Sequence, residues 1–418
     1  MSDLRQDIEV IYRAALNAVR ANSAVGAHLR VDADGLLQVS GQHVDIGRDG
    51  VYAIATGKAA VGMIDAAASA LGEHFTAGVA VSKSEPLSND QRVTVLYGSH
   101  PVPDASSLAA GNAVLEFAAS VPAGALVLCL VSGGGSSLVE SLRDGIELDR
   151  LREVTSALLR GGASIHELNA VRSRMSKIKA GGLLAALAQA RVHNLIVSDV
   201  LTDDLRTIAS GPSVPASDAD AEAVVQRYGI SGTIPELPER PVVPFPPTTV
   251  IANLTIALDA ARAEASRIGY TPVILSRSLD SEASEAGRML AAVMADSAER
   301  RTSFGSRTCL LAGGETTVSV RGSGTGGRNT EAALAAAIRL SGVDDVAMGF
   351  LATDGDDGTT GAAGGVVDGA TVSPERRVDA IRSLAENDSY PFLRDAGSVV
   401  VTGPTGTNVN DLVIGLLG

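Results

Sequence analysis

Short aliphatic runs alternate with alanine-rich segments of helical character along most of this chain. VYAIATGKAA (51–60), ALVLCLVSGGGSSLVE (125–140) and VHNLIVSDV (192–200) each contain a continuously apolar run that ends in a polar or glycine-rich loop. Strands of a parallel sheet have this character, because helices cover both faces of the sheet. The alternation therefore predicts an α/β protein made of Rossmann-like, three-layer lobes with mainly parallel sheets.

A chain of 418 residues is longer than one hydrophobic core usually supports. The clearest boundary is GTIPELPERPVVPFPPT (232–248), whose six prolines forbid a helix and disfavour a central strand. We predict an N-terminal domain at 1–231, an ordered proline-rich linker at 232–248, and a C-terminal domain at 249–418. We expect an active-site cleft between the two lobes.

The composition of the chain argues against some classes of binding partner. The net charge of −14 and the scarcity of aromatic residues, 3% with no tryptophan, argue against a nucleic-acid or an anionic membrane surface. The N-terminus has acidic residues and helical spacing, unlike a signal peptide. We expect a cytoplasmic protein, monomeric or homodimeric, that acts on a small molecule. Cys129 and Cys309 lie in apolar runs and are expected to be buried thiols.

Chemically distinctive loops follow the predicted strands of both lobes. They contain TGK, SGGGSS, SDV, AGGE, TDGDDG and TGPTGTN. In open parallel sheets, ligands bind beyond the carboxyl ends of the strands. We therefore expect these loops to form one composite site.

The glycine loop (132–137) is the first candidate binding element. Its three consecutive glycines exceed what a tight turn needs and let backbone N–H groups approach a ligand, and the predicted helix start that follows favours anions. A phosphate is the expected ligand, and a plain strand-to-helix turn is the alternative. The loop consists of Ser132, Gly133, Gly134, Gly135, Ser136 and Ser137.

Basic residues near these loops are candidates for contact with an anion. Lys58 directly follows a strand, at a helix start where a cation is disfavoured unless an anion is near. Arg172 and Lys179, in LNAVRSRMSKIKAGG (168–182), are one helical repeat apart and are candidates for a shared face. An anionic substrate explains that segment no better than the ordinary preference for cations near a helix C-terminus.

Two aspartates come first after their strands, Asp199 in IVSDV and Asp354 in ATDGDDG. Carboxylates at such positions hold Mg²⁺ through water or accept a hydroxyl proton. Ordinary Asp-Gly turns are the alternative explanation. The sequence does not separate the metal role from the base role.

The segment RGSGTGGRNTEAALAAA (321–337) allows two interpretations. Gly322, Gly324 and Gly327 match GxGxxG, which favours a dinucleotide-binding loop. Arg328 at the predicted helix start suits a two-pronged contact with phosphoryl oxygens or a carboxylate. We expect Glu331 to cap that helix, to orient Arg328, or to form a simple salt bridge with it.

Nine stretches in order resemble the glycerate kinases that carry an N-terminal α/β domain and a C-terminal domain named for its MOFRL-like motif. They cover essentially the whole chain and are ATGKAA, SHPVPD, VSGGGSS, LNAVRSRMSKIKAGG, VSDV with TIASGPS, LAGGETTV, GGRNTE, ATDGDDGTTGAAGG and TGPTGTNVNDL. The resemblance implies a glycerate 2-kinase with ATP and Mg²⁺ as cofactors, D-glycerate as substrate and 2-phosphoglycerate as product. It assigns 1–231 to the kinase domain and 249–418 to the MOFRL-type domain.

The resemblance also implies roles for particular residues. Those matching Lys58 and Arg328 act in catalysis, and we expect both on the transferring phosphate. We expect the glycine loop to bind phosphates through its N–H groups and Arg172 to contact the glycerate carboxylate. Asn408, in the last of the loops, is a further candidate for contact with substrate or phosphate.

Direct in-line transfer of the ATP γ-phosphoryl group to the 2-hydroxyl of glycerate is the expected reaction. Some relatives carry the name hydroxypyruvate reductase, and an NAD(P)H-dependent reductase would bind its dinucleotide near Gly322–Gly327. A non-catalytic sensor of a sugar acid or a nucleotide would bind its ligand without turnover. Acid-rich loops beside cationic residues argue against the sensor.

Overall fold

The structure is a computed structural model that describes residues 4–32, 35–83, 87–215, 221–232, 234–236, 241, 243–300 and 304–418. The chain forms two compact units. The central unit is Ala21–Ile251, and the terminal unit combines the described residues up to Arg20, including α1 (Leu4–Val19), with Ala252–Gly418. Across these described ranges, no helix has both the length and the apolar character needed to cross a membrane.

The central unit contains one large sheet covered by helices and one small antiparallel sheet. Its helices are α2 (Ala21–His28), α3 (Ala60–Leu71), α4 (Ala105–Ser120), α5 (Gly135–Leu138), α6 (Leu148–Arg160), α7 (Ile165–Met175), α8 (Gly182–Ala186) and α9 (Ala221–Arg227). The small sheet has β1 (Leu29–Val31), β2 (Leu37–Val39) and β3 (Gln42–Val44). The large sheet has β4 (Val51–Thr56), β5 (Phe75–Ser82), β6 (Val93–Tyr97), β7 (Leu126–Val131), β8 (Arg191–Val197) and β9 (Thr248–Ala252).

The large sheet has the strand order β6-β5-β4-β7-β8-β9. Strand β4 pairs in parallel with both β5 and β7, and the β5–β6 and β7–β8 pairs are parallel as well. Within the sheet this is the doubly wound order 3-2-1-4-5-6. Because the order reverses between β4 and β7, the connections that leave these two strands diverge and open a crevice at their carboxyl ends.

The apolar strands are buried, as predicted, and the predicted α/β class is confirmed. All six residues of β7 are buried, as are all residues of β8 except the first. Side chains of α4 and α8 pack on this part of the sheet. Cys129 in β7 and Cys309 in the terminal unit are both buried thiols, and burial raises the pKa of each to about 12.

The terminal unit contains a second sheet. Besides α1, its helices are α10 (Leu254–Arg267), α11 (Ala283–Arg300), α12 (Arg328–Leu340), α13 (Arg377–Ala385) and α14 (Ser389–Asp395). Its strands are β10 (Thr271–Leu279), β11 (Thr308–Gly314), β12 (Val346–Ala352), β13 (Gly364–Asp368), β14 (Val399–Val400) and β15 (Asp411–Leu417).

Strand direction in this second sheet differs from the expected, mainly parallel pairing. The order is β10-β11-β15-β12-β13-β14, and among these described strands only β10 and β11 are parallel. The last strand, β15, lies antiparallel between β11 and β12, and all its residues are buried. A continuous apolar run indicates burial on both faces but not direction. Strand β14 is confined to Val399–Val400.

The first helix packs on the terminal unit, whereas the sequence analysis placed it in a domain at 1–231. Tyr12 is buried, and its hydroxyl donates to the carbonyl of Ala352 at 2.6 Å. The guanidinium of Arg5 lies 2.5 Å from the carboxylate of Asp368. Helical periodicity identifies the apolar face of such a helix but not the sheet that this face covers.

The end of the predicted linker leads into strand β9, which adds to the large sheet beside β8. The side-chain amide of Asn194 donates to the hydroxyl of Thr248 at 3.0 Å, which ties the two strands together. Within 232–247, the described residues form neither helix nor strand, and 233, 237–240 and 242 lie outside the described residues. The functional assignment of each domain stays a prediction.

Candidate functional site

Polar loops leave the carboxyl ends of β4 and β7, the two strands that flank the switch point. Lys58 lies in the loop after β4, and the glycine loop follows β7. Asp199 comes shortly after β8, the next strand in the sheet. The central unit therefore brings together candidates that the sequence could only place at separate strand ends.

Hydrogen bonds join the Lys58 loop to the glycine loop. The N–H of Lys58 donates to the carbonyl of Gly133 at 2.8 Å. The buried hydroxyl of Ser132 donates to the carbonyl of Thr56 and accepts from the N–H of Ala59, both at 3.1 Å. The side chain of Ser132 therefore holds the two loops together and is already engaged within the protein.

Two positions of the glycine loop favour glycine strongly. A β-carbon at Gly133 would lie 1.9 Å from Oδ2 of Asp199. At Gly134, where φ is +81°, a β-carbon would lie 3.3 Å from Cγ of Lys58. Glycine is required at Gly133 for the close approach and at Gly134 for the left-handed backbone. The Lys58 side chain and the Asp199 carboxylate thus both lie against the loop backbone.

A carboxylate beside a loop suited to phosphate would repel that phosphate unless cations compensate for its charge. Lys58 supplies one positive charge. Mg²⁺ also fits this donor set, because hard divalent cations take carboxylate and phosphate oxygens together. In the described part of the chain, no three acidic, histidine or cysteine side chains converge as a metal site of their own. The residues therefore fit a metal ion that binds together with a phosphate ligand.

The helix that begins within the glycine loop is a single turn. Helix α5 spans only Gly135–Leu138, and the hydroxyl of Ser137 donates to the carbonyl of Gly134 at 3.2 Å within that turn. A single turn has a small dipole. Phosphate binding by this loop would therefore rest on its backbone N–H groups and on neighbouring charges.

Ser136 belongs to a chain of hydroxyl and amide groups. Its Oγ lies 2.7 Å from Oγ of Ser210, which donates to Oδ1 of Asn169 at 2.8 Å. Because Ser210 uses its only hydroxyl hydrogen on Asn169, Ser136 must donate to Ser210. Ser136 therefore presents lone pairs and suits a ligand that donates a hydrogen bond. Ser210 and Asn169 were not predicted as site residues, although Ser210 lies in the stretch TIASGPS.

Arg172 and Lys179 meet as the sequence suggested, but on a backbone carbonyl. Nη2 of Arg172 and Nζ of Lys179 donate to the oxygen of Ser136 at 3.1 and 2.7 Å. Arg172 is only 7% exposed, so its guanidinium lies behind the glycine loop. Its expected contact with a substrate carboxylate stays a prediction. Helix α7 ends at Met175, so the two residues do not share a helix face.

His100 borders the same cluster. A β-carbon at Gly134 would lie 3.2 Å from Cδ2 and 3.3 Å from Nε2 of its ring. Burial, with the charges of Lys58 and Lys83 acting in the same direction, lowers the pKa of His100 to about 4. The imidazole is therefore neutral near pH 7.

In the terminal unit, Arg328 begins α12 and is held by two carboxylates. Its Nε and Nη2 donate to the two oxygens of Asp411 at 2.5 and 3.1 Å, and its Nη1 donates to Glu315 at 2.7 Å. Burial alone would lower the pKa of Arg328, but the carboxylates raise it above its ordinary value. Burial raises the pKa of Asp411 to about 6, against the opposing charge of Arg328. Neither carboxylate is recognisable from the sequence as a partner of Arg328.

Glu331 does not pair with Arg328, contrary to one of the expectations. It is buried, its carboxylate accepts from the side-chain amide of Asn387 at 3.1 Å, and burial raises its pKa. The cap of α12 is Asp357, whose two oxygens accept from the N–H groups of Asn329 and the next residue, each at 2.8 Å. Asp357 lies 28 residues from Asn329 in sequence, so no local motif reveals this cap.

Asp354 and Asn408 lie in two loops that contact each other. The N–H of Thr405 donates to the carbonyl of Asp354 at 3.3 Å. Oδ1 of Asp354 accepts from the N–H of Asp356 at 3.0 Å, which is an ordinary aspartate turn. Oδ1 of Asn408 accepts weakly from the N–H of Asn410 at 3.4 Å. Both side chains are half-buried, and their roles stay predictions.

The glycines of the GxGxxG match have a packing explanation. A β-carbon at Gly322 would lie 2.2 Å from the carbonyl oxygen of Glu386, and one at Gly324 would lie 2.4 Å from Cβ of Asp388. Gly322 also lies eight residues beyond Gly314, the end of β11, whereas a dinucleotide loop leaves its strand directly. These contacts account for the glycines without a ligand and weaken the reductase alternative.

Comparison with known proteins identifies two family models along the chain. Residues 7–239 match the model described as a domain of unknown function, DUF4147. Residues 308–411 match the MOFRL family. The first of these matches alone covers more than half of the chain.

Individual proteins are also similar to this chain over most of its length. A D-glycerate 2-kinase from Thermotoga maritima is 41% identical over 383 residues, which cover 88% of this chain and 91% of that protein. A crystal structure of glycerate kinase from the same organism has a TM-score of 0.87 at 38% identity and covers 99% of both chains. A relative from Agrobacterium vitis, 37% identical over 87% of this chain and 86% of its own, carries the provisional name hydroxypyruvate reductase.

The variant His100→Gln is expected to flatten the pH dependence of stability between pH 7 and pH 5. An unfolded histidine gains its proton near pH 6.5, whereas the folded His100 has a pKa of about 4. Protons therefore favour the unfolded chain as the pH falls through this window. After allowance for screening at this half-buried ring, the difference is about 1 kcal/mol. Urea unfolding at both pH values measures it.

The exposed His43 provides the control for this experiment. The variant His43→Gln should keep the pH dependence of the unmodified protein. An equally steep dependence in His100→Gln would contradict the neutral state assigned to the His100 ring.

Proposed function

Because the chain belongs to the glycerate 2-kinase family, we propose that it transfers the γ-phosphoryl group of ATP to the 2-hydroxyl of D-glycerate. The products are ADP and 2-phosphoglycerate. The observation that carries the proposal is the placement of both Lys58 and Asp199 against the glycine loop at the switch point of the sheet. A cation, a carboxylate and a glycine-rich backbone at one strand edge are what a magnesium-dependent phosphoryl transfer requires.

In this proposal the glycine loop and Lys58 position the phosphates. In-line phosphoryl transfer depends on alignment and charge neutralisation more than on covalent chemistry. The N–H groups of 133–136 would bind phosphate oxygens, and the ammonium group of Lys58 would contact the transferring group. Ser136, with its lone pairs available, suits a hydrogen bond from a hydroxyl of the substrate.

Arg328 would contribute the second positive charge to the transferring phosphate. Its two-pronged contact with the buried Asp411 fixes the plane of the guanidinium. Its contact with Glu315 is different, because that carboxylate is half exposed and such ion pairs are weak. An anionic oxygen of the substrate can therefore replace Glu315 while Asp411 keeps the arginine in place.

Asp199 and Asp354 are the proposed carboxylates for the metal ion and for the hydroxyl proton. Bound Mg²⁺ supplies charge neutralisation at the phosphate oxygens. Asp199 is the stronger candidate for holding it, because its carboxylate lies against the backbone of the glycine loop. For the glycerate carboxylate, the proposed contacts are the half-buried amide of Asn408 and the guanidinium of Arg172, which also donates to the Ser136 carbonyl.

Purified protein incubated with ATP, Mg²⁺ and D-glycerate should give a 2-phosphoglycerate signal by phosphorus NMR. A parallel assay should show no oxidation of NADH or NADPH with hydroxypyruvate, because the glycines of 322–327 are used in packing. Oxidation of NAD(P)H without phosphoglycerate would replace the kinase by a reductase. Nucleotide or glycerate binding without either reaction would favour the sensor.

Removal of either proposed cation should slow the reaction without unfolding the protein. Lys58→Ala and Arg328→Ala should each lower kcat by about 100-fold or more, because each charge acts mainly in the transition state. Lys177→Ala and Arg339→Ala are the matched controls, since both residues are exposed and Arg339 lies on the same helix as Arg328. Near-normal turnover in both cation variants, with the circular dichroism spectrum unchanged, would remove this assignment.

The two proposed metal carboxylates should differ from surface aspartates in a magnesium titration. Asp199→Asn and Asp354→Asn should each raise the Mg²⁺ concentration needed for half-maximal rate by about tenfold, because a neutral amide holds the ion less well. Asp49→Asn and Asp344→Asn, at exposed positions, should leave the titration unchanged. A residue whose variant titrates like the unmodified protein has no metal role.

A further inference from the structure

A buried ion pair lies behind the glycine loop and has no part in the proposed chemistry. Nζ of Lys179 is 2.8 Å from Oε2 of Glu140, and their side chains are 1% and 0% exposed. Oε1 of Glu140 also accepts from the hydroxyl of Ser176 at 2.5 Å and from the N–H of Ser141 at 3.1 Å. Apolar residues often stabilise a core as well as such a pair does. Stability alone is therefore a weak reason for placing these charges there.

The ion pair is connected directly to the glycine loop. Nζ of Lys179 donates to the carbonyl of Ser136 at 2.7 Å, and Nη2 of Arg172 donates to the same oxygen at 3.1 Å. Two cationic donors on one carbonyl fix the direction of that peptide group. The same peptide carries the N–H of Ser137, which donates to the carbonyl of Gly134 at 3.2 Å, so its direction also constrains the loop backbone at Gly134.

The segment that carries Lys179 holds a second loop of the cluster as well. The N–H of Ala180 donates to the carbonyl of Ser210 at 2.9 Å, and Oγ of Ser210 lies 2.7 Å from Oγ of Ser136. Ala180 and Ser210 have φ values of 49° and 61°, a strained backbone for residues with side chains. Such strain persists only where the surroundings over-determine the conformation. Lys179 thus lies where two strained segments and the glycine loop are tied together.

We propose that Lys179, held by Glu140, is a positioning residue that fixes the glycine loop in the conformation that binds nucleotide phosphates. This inference rests on the proposed kinase function and adds residues that touch neither substrate nor metal. The cluster contains two cationic side chains, Arg172 and Lys179, and one carboxylate, Glu140. Its net positive charge favours the binding of an anion at the glycine loop.

Paired and single substitutions separate positioning from stability. Lys179→Met leaves Glu140 buried without its cation, and it should lower Tm by roughly 5 °C or more. The double variant Lys179→Met, Glu140→Gln removes both charges and keeps an oxygen for Ser176 and Ser141 to donate to. It should return to within about 2 °C of the normal Tm.

The double variant should nevertheless remain defective in nucleotide handling. Its kcat/KM for ATP and its affinity for ADP, measured by titration calorimetry, should each be about tenfold below normal, because the Ser136 carbonyl has lost its main donor. The KM for glycerate should change by less than about twofold. The matched control is Lys177→Met with Asp144→Asn, an exposed ion pair two residues away along the chain that should behave normally in every assay.

Each outcome bears on the proposal separately from the kinase reaction. A double variant with normal Tm, normal kcat/KM and normal ADP affinity would overturn it and leave the pair a purely structural role. A normal ADP affinity in Lys179→Met despite its lower Tm would overturn it as well. If the unmodified protein made no 2-phosphoglycerate, the proposed function would fail, and the ADP affinities alone would decide whether Lys179 positions the loop.

Discussion

The parallel pairing of β4 with neighbours on both sides is the constraint on which the central unit depends. Because β5 and β7 both flank this strand, the chain must leave the sheet in opposite directions at one point, and the carboxyl ends of β4 and β7 open there. That opening holds Lys58 and the glycine loop. The site thus follows from sheet topology, which continuous apolar strands make possible by burying both faces.

Each proposed catalytic cation belongs to a part of the site that also holds a carboxylate. Lys58 and Asp199 both lie against the glycine loop, and Asp411 accepts two hydrogen bonds from Arg328. An unpaired charge is costly to hold in a half-buried loop, so a carboxylate stabilises each site before an anion arrives. Glu315, the exposed partner of Arg328, forms a weaker ion pair than the buried Asp411, because water screens exposed charges.

Identical residue types act for different reasons in this fold. Gly133 and Gly134 permit close approach of the polar groups in the proposed site, whereas Gly322 and Gly324 permit close packing against 386–388. Likewise, Arg172 and Arg328 both suit an anion by their chemistry, but only Arg328 has a partner half exposed to solvent. The surroundings of a side chain, more than its type, decide whether it can meet a ligand.

The sequence by itself determined the α/β class, the strand-end positions of Lys58, the glycine loop and Asp199, and the burial of both cysteines, because local hydrophobic pattern controls all of these. Tertiary structure alone decided the antiparallel insertion of β15, the packing of α1 on the terminal unit and the cap on α12 by Asp357. The hydrogen bond from Arg172 to the Ser136 carbonyl also depends on tertiary structure. These cases share one physical reason. The local hydrophobic pattern indicates that a surface is buried, whereas contacts between residues far apart in sequence decide which element covers it.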